Sequence, residues 1–214
     1  MTNNTYWDKL HDYYTNTDWI NQTAEFAQWA IDYFPKTGSI LDLGGGQGQD
    51  ARYFADKGYQ VTLVDISPRG LQLAKEKTPA ELQDHISFVQ HDISQPLPFP
   101  ENEYDVVYSH LAVQYFDEAT THKIFDEIHR VLVPGGIVAL FTNSINDPQY
   151  GQGKKLEKDF YEINGVTKRF FSQESIQEFA RKFKTLEVDE HGYTPKDRAA
   201  STSNLVRYVG KKTV

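Results

Sequence analysis

Asp42 stands two residues ahead of a run of glycines, Gly44, Gly45, Gly46 and Gly48, in the stretch SILDLGGGQGQD (residues 39–50). Glycines this dense leave the backbone bare enough for a ligand to lie against it. As packing aids alone they would weaken strand and helix without compensation. Gly46, Gly48 and Ala51 fit the relaxed G-x-G-x-x-A spacing of a dinucleotide turn, and Asp65 follows Gly44 by 21 residues, where a ribose-binding acid belongs. Asp42 discriminates among the ligands such a turn can hold. A carboxylate there repels a pyrophosphate and suits a ligand carrying positive charge. A dedicated base is optional, but where a substrate must lose a proton His110 is the best-placed candidate, because an unperturbed imidazole titrates at ~6.5; the alternative is a histidine that packs or hydrogen-bonds at a strand end.

The elements that must position these groups alternate. Helical spacing of Phe26, Ala30, Ile31 and Phe34 predicts a helix over Thr23–Phe34, stopped by Pro35. Strands are predicted at 39–43, 59–67, 86–93, 104–110 and 137–143. Helices are predicted over Gln49–Lys57, from the Ser67 cap with Pro68 at its first position, and over Ala119–Leu132 with Ile124, Ile128 and Leu132 on one face. The tripeptide PGG (134–136) is read as the turn into the fifth strand. This order implies an α/β fold with a parallel sheet and helices on both faces, ligands sitting at the carboxyl ends of the strands. Residues 183–193 and 203–212 read as two strands whose link is too short for a crossover helix, so they must pair antiparallel.

Composition excludes several function classes. The 214 residues, 39% hydrophobic, bury a substantial core and read as one domain, 1–214. Absence of cysteine removes disulfides, thiolate metal sites and cysteine nucleophiles together. A net charge of -8 argues against nucleic-acid binding. No apolar run approaches bilayer length and the first twenty residues lack the pattern of a secretory signal, so a cytoplasmic protein without membrane contact is expected.

A cofactor with an ammonium, a sulfonium and no phosphate answers the Asp42 argument, and S-adenosylmethionine is such a molecule. The segments LDLGGGQG (41–48), Asp65 closing the second strand, Asp92 in QHDI closing the third, YDVVYSHLAVQYF (104–116) at the fourth and VLVPGGIVAL (131–140) entering the fifth resemble the class I S-adenosylmethionine-dependent methyltransferases. The resemblance covers about residues 23–143 and the terminal hairpin, and the layout is similar to the small-molecule branch, of the methyltransferase-11 and tellurite-resistance-like kind. It implies a Rossmann-like, doubly wound, seven-stranded sheet, mostly parallel with an antiparallel C-terminal hairpin strand. It also implies roles for residues. Gly44, Gly45 and Gly46 would let the backbone approach the methionine part of the cofactor, with Asp42 near its ammonium. Asp65 would accept the ribose hydroxyls, Ile66 cover an adenine face, Asp92 accept the adenine amino group and Ile93 donate its backbone N–H. Ser109 and His110 would line the floor beneath the sulfonium. Gly45 stands where the family often has Cys or Ser, a departure expected to be harmless. Asp42 as a cap of the following turn, Asp65 as a helix cap and Asp92 as ordinary turn chemistry remain alternatives.

The resemblance implies in-line methyl transfer to a small-molecule acceptor by a monomer or homodimer, with no metal. The fourth strand lacks the Asn/Asp-Pro-Pro-aromatic motif of base and glutamine-amide methylation, and cytosine-C5 and arsenic methylation need cysteines. Acceptor recognition is expected in the aromatic helical segment 1–35 and in an insertion at about 146–172, where Asn164-Gly165 signals a two-stranded hairpin and Ser172 caps the next helix. Both are predicted to close over the site. Residues 154–169 carry five basic and three acidic side chains, which attract an anion or form a solvated hairpin face. A noncatalytic cofactor-binding regulator and a nicotinamide-dependent oxidoreductase are the competing functions; Asp42, Gln49 and the terminal hairpin disfavour the second.

Overall fold

The computed structural model describes residues 4–192 and 205–213. Ten strands occur among them: β1 Ser39–Leu43, β2 Gln60–Asp65, β3 Ile86–Gln90, β4 Tyr104–His110, β5 Leu132–Asn143, β6 Lys154–Glu157, β7 Phe160–Ile163, β8 Val166–Arg169, β9 Phe183–Gly192 and β10 Leu205–Lys212. The α-helices are α1 Asn4–Tyr14, α2 Glu25–Ala30, α3 Gln49–Asp56, α4 Pro68–Lys77, α5 Glu118–Val131 and α6 Gln173–Phe179. Seven strands form one sheet in the order β3-β2-β1-β4-β5-β10-β9. The first five are parallel, and β10 runs antiparallel to both β5 and β9. This is the doubly wound Rossmann-like sheet with its terminal antiparallel hairpin; Tyr193, Ser203 and Asn204 of the expected hairpin lie outside the described residues.

Burial on both faces explains why the central strands read as continuous apolar runs. Ile40, Val106, Tyr108, Ala139 and Phe141 face a core shared with Phe26 of α2, Phe54 of α3 and Leu71 of α4. Their neighbours in sequence, Leu41, Val107, Val138 and Leu140, face Ile124, Phe125 and Ile128 of α5 and Ile176 of α6. The chain leaves β1 in one direction toward β2 and β3, then returns to lay β4 on the other side of β1. That reversal opens a crevice at the carboxyl ends of β1 and β4, where ligands bind in such sheets.

Four local expectations are corrected. The third strand stops at Gln90, so Asp92 lies in the following turn, its Oδ1 accepting the Ser94 amide at 2.9 Å. PGG does not precede the fifth strand but bulges within it: Tyr104 pairs with Leu132 and Val106 with Ile137, and Gly135 takes φ +82° to allow it. Leu132 therefore belongs to β5, and α5 ends at Val131. The insertion is a three-stranded sheet, β6-β7-β8, rather than a two-stranded hairpin, with Asn164 (φ 52°) and Gly165 (φ 80°) forming the expected turn between β7 and β8. Ser67 and Ser172 cap α4 and α6 as anticipated. No described helix is long and apolar enough to cross a membrane.

Candidate active site

The glycine turn is folded by its own backbone. The Gly44 and Gly45 amides both donate to the Val64 carbonyl (2.7 and 3.1 Å), and the Gly46 amide donates to Asp65 Oδ2 (2.9 Å). Gly44 and Gly46 adopt φ +74° and +53°, the left-handed region that other residues avoid, and a Cβ on Gly44 would collide with the Ala112 side chain. Gly45 is the residue the site has room for where the family often has Cys or Ser. A Cβ there would fall 2.5 Å from Asp42 Oδ2 and 2.7 Å from Leu63 Cγ, so the Asp42 carboxylate occupies space that a larger residue would claim.

Two cavities open from this turn, of about 640 and 770 Å³, and they share Trp7, His11, Gly44, Gly46, Leu111 and Tyr115. The first is lined by Asp42, Gly45, Asp50, His110 and Gln114, the second by Asp65, Ile66, Asp92 and Ile93. Nine of the ten residues singled out in the sequence thus line one connected space. Ser109 does not: it is fully buried and its hydroxyl donates to the Leu43 carbonyl at 2.9 Å, tying β4 to β1. Leu111, directly after β4, holds φ +58°, a strained conformation for a branched residue at the point where both cavities meet.

Electrostatics in the first cavity are dominated by buried acids. Asp42 is 1% exposed; burial, reinforced by the charges of Asp50 and Asp65, holds its carboxyl well above the usual range, and Oδ2 has no hydrogen-bond partner. Burial likewise raises Asp65, against the lowering effects of His11 and of the Ser67 and Gly46 amides. The His110 ring is stacked on Phe141 (centroids 5.2 Å apart, 7° between planes), and burial lowers its pKa while Asp50 raises it.

Sequence reasoning placed the N-terminal segment at the site but missed His11 and Asp50. The His11 ring is wedged between two glycines, so that a Cβ on Gly46 would meet its Cε1 at 2.9 Å and one on Gly70 its Nε2 at 2.8 Å. Asp8 anchors the helix by accepting from the Ser67 hydroxyl (2.5 Å) and the Arg69 amide (3.2 Å), and Asp12 pairs with Arg69 (2.7 Å). The i, i+4 spacing of Trp7 and His11 was the available signal. Asp50 was hidden because an acid in a first helical turn reads as a response to the helix dipole.

A family model described as a methyltransferase domain matches residues 41–140, from the glycine turn through Asp65, Asp92 and His110 into β5. Over these residues, just under half of its length, the chain is similar to that domain. Among the proteins it resembles, malonyl-[acyl-carrier protein] O-methyltransferase of Enterobacter lignolyticus is 33% identical over 138 residues, 64% of this chain and 50% of that protein. An uncharacterized methyltransferase of Synechocystis is 39% identical over 101 residues, 47% of this chain and 45% of that protein. The chain thus spans about half the length of the curated relatives it matches. In fold it resembles the 1,6-didemethyltoxoflavin-N1-methyltransferase of Burkholderia thailandensis, with TM-score 0.73 and 19% identity over 98% of this chain and 85% of that one.

Proposed function

We propose that this chain binds S-adenosylmethionine across the glycine turn and transfers its methyl group to a small-molecule acceptor. One observation carries the reading. Buried polar atoms are almost always hydrogen-bonded, yet six among the described residues have no partner, and five of these, on His11, Asp42, Gln49, His91 and Gln114, belong to residues lining the two connected cavities. Such concentration is what a ligand with many polar groups would satisfy.

The residues fit the cofactor's chemistry. Asp42, unpartnered and flanked by acids, suits an ammonium; the bare Gly44 and Gly46 leave room for the methionine part. Asp65, Ile66, Asp92 and Ile93 line the second cavity and suit a nucleoside, with Asp65 and Asp92 offering acceptors to hydroxyl and amino donors. When bound, the group supplies an electrophilic methyl on a sulfonium, so alignment with an acceptor and exclusion of water are most of what the protein must provide. Val166 and Lys168 of the inserted sheet line the first cavity, and Phe160 and Thr167 the second. Together with Tyr6, Trp7, Tyr14 and Trp19 of the N-terminal segment they form a cover within a single domain. The named activities of the Enterobacter and Burkholderia proteins, on an O and an N acceptor, support the class of reaction and leave the acceptor open.

Calorimetry with S-adenosylmethionine, S-adenosylhomocysteine and NAD tests the cofactor. Binding of the first two without the third is expected; NAD binding with neither adenosyl ligand would overturn the reading. Release of S-adenosylhomocysteine from S-adenosylmethionine in the presence of a metabolite pool, above the rate without it, tests turnover.

A further inference from the structure

Asp50, in the first turn of α3, has both carboxylate oxygens committed. Oδ1 accepts the Ala24 amide and Oδ2 the Tyr108 hydroxyl, each at 2.8 Å. The side chain is 5% exposed, and the same Oδ2 lies 3.9 Å from His110 Nδ1, too long for a hydrogen bond and close enough for strong electrostatic coupling. His110 cannot turn away freely, since its ring is stacked face to face on Phe141, with Phe26 beyond at 6.5 Å and 17°. With Nδ1 turned to the acid, Nε2 is the ring nitrogen left for the cavity that Asp42 and Gly44 also line.

We infer that Asp50 is a positioning residue: fixed by Ala24 and Tyr108, it holds the His110 imidazole with Nε2 toward the acceptor and stabilises the imidazolium that forms when that nitrogen takes a proton. The inference rests on the methyl-transfer reading and narrows it to acceptors whose nucleophile bears a hydrogen. A hydroxyl or N–H acceptor that gains the methyl sheds its proton. The electron pair of the broken carbon–sulfur bond stays on sulfur, and the proton passes to His110 Nε2 and thence to solvent. A carboxylate with no role beyond packing would explain the bonds to Ala24 and Tyr108 but not a charge placed against the edge of a stacked imidazole.

The other groups facing His110 do not substitute for Asp50. Asp42, on β1, is held well above the usual carboxylate range by its burial, Tyr108 is pushed far up by burial, and Phe26 and Phe141 carry no charge. The test is the titration of the His110 ring, followed by NMR with S-adenosylhomocysteine as the added probe. Asp50→Asn, which keeps the size of the side chain, removes an anion close to Nδ1 and should lower the His110 midpoint by about one pH unit. Tyr108→Phe, the milder change, releases Oδ2 toward the imidazole and should raise it. An unmoved midpoint in both variants, in protein whose amide spectrum stays dispersed, overturns the inference. Because the ring titration needs no turnover, it decides Asp50 even if S-adenosylhomocysteine fails to bind the wild-type chain, a result that would instead overturn the cofactor reading.

Discussion

The Asp42 carboxylate fills the space that a side chain on Gly45 would need, with Oδ2 only 2.5 Å from where a Cβ would stand. Leu63 is fully buried in β2, and Asp42 Oδ2, itself buried and without a hydrogen-bond partner, is the group that must move. Gly45→Ser should therefore push the carboxylate aside, costing about 1–3 kcal/mol as overpacking does and weakening S-adenosylmethionine binding at least tenfold. Calorimetry and thermal unfolding of the variant check both. Tight binding with an unchanged melting temperature would show that the turn accommodates the residue common in the family.

Asp42 itself opposes the stability of the empty fold. A carboxyl held above its unfolded value of about 3.9 binds its proton more tightly when folded. Its favourable contribution is complete below that value and is lost as pH rises through the folded pKa, which burial and the Asp50 and Asp65 charges raise. At neutral pH Asp42→Asn should accordingly melt higher than the wild type, by about 2–4 °C if the gain is near 1 kcal/mol, while binding S-adenosylmethionine more weakly. A variant that loses both stability and affinity would mean that Asp42 is structural.

The same raised carboxyl couples cofactor binding to pH. A cation beside Asp42 favours its ionised form, so binding below the unliganded pKa must release a proton, and affinity must rise with pH until that pKa is passed. Calorimetric enthalpies measured in buffers of different ionisation heat should show this release in the wild type and a smaller one in Asp42→Asn. Equal proton release in the two proteins would assign the linkage elsewhere.

How far the sequence carried these conclusions depended on what kind of force set each feature. The sheet and its parallel order were legible because strands buried on both faces must be mainly apolar, as VTLV and VVY are. Asp42, Asp65 and the glycines were legible because a left-handed backbone and a repelled phosphate leave few alternatives. His11 and Asp50 were not, since both act across the fold: the His11 ring meets Gly46 and Gly70, and Asp50 meets Ala24, Tyr108 and His110. The misplacement of Ser109 has a simple cause. Successive residues of a strand face opposite sides, and the chain turns into the crevice from His110 onward, at and past the end of β4.

His11 links the N-terminal helix to the glycine turn. It lies against Gly46 and close enough to Asp65 to feel its charge, in the space beside the acid expected to hold the ribose, and burial lowers its pKa. Entry of a nucleoside should displace the ring and loosen the docking that Asp8 and Asp12 provide. Hydrogen exchange in residues 4–14 is therefore expected to change on addition of S-adenosylhomocysteine, and His11→Ala to bind the ligand faster. Protection that is identical with and without ligand, in a chain that binds it, would place the ribose elsewhere.

Arg169 is the rivet of the inserted sheet. Its guanidinium, 4% exposed, donates to Glu157 Oε2 (2.6 Å), the Phe116 carbonyl (3.1 Å) and the Lys158 carbonyl (3.3 Å), and lies over the rings of Phe160 and Phe179 at 5.1 and 5.5 Å. Replacing it with Met keeps much of the apolar packing but removes the donor to Glu157 and to the Phe116 and Lys158 carbonyls. Glu157 is 37% exposed and can turn to water, which softens the loss, so Arg169→Met should cost about 2–3 kcal/mol rather than the larger penalty of a fully buried pair. The expected signature is local as well as global: a melting temperature lower by roughly 4–10 °C, and faster hydrogen exchange across residues 154–170 than in the main sheet. Since β8 lines both cavities, affinity for S-adenosylhomocysteine should fall in parallel. Exchange that rises uniformly, or not at all, would show that the three strands are held by their aromatic packing and not by this cation.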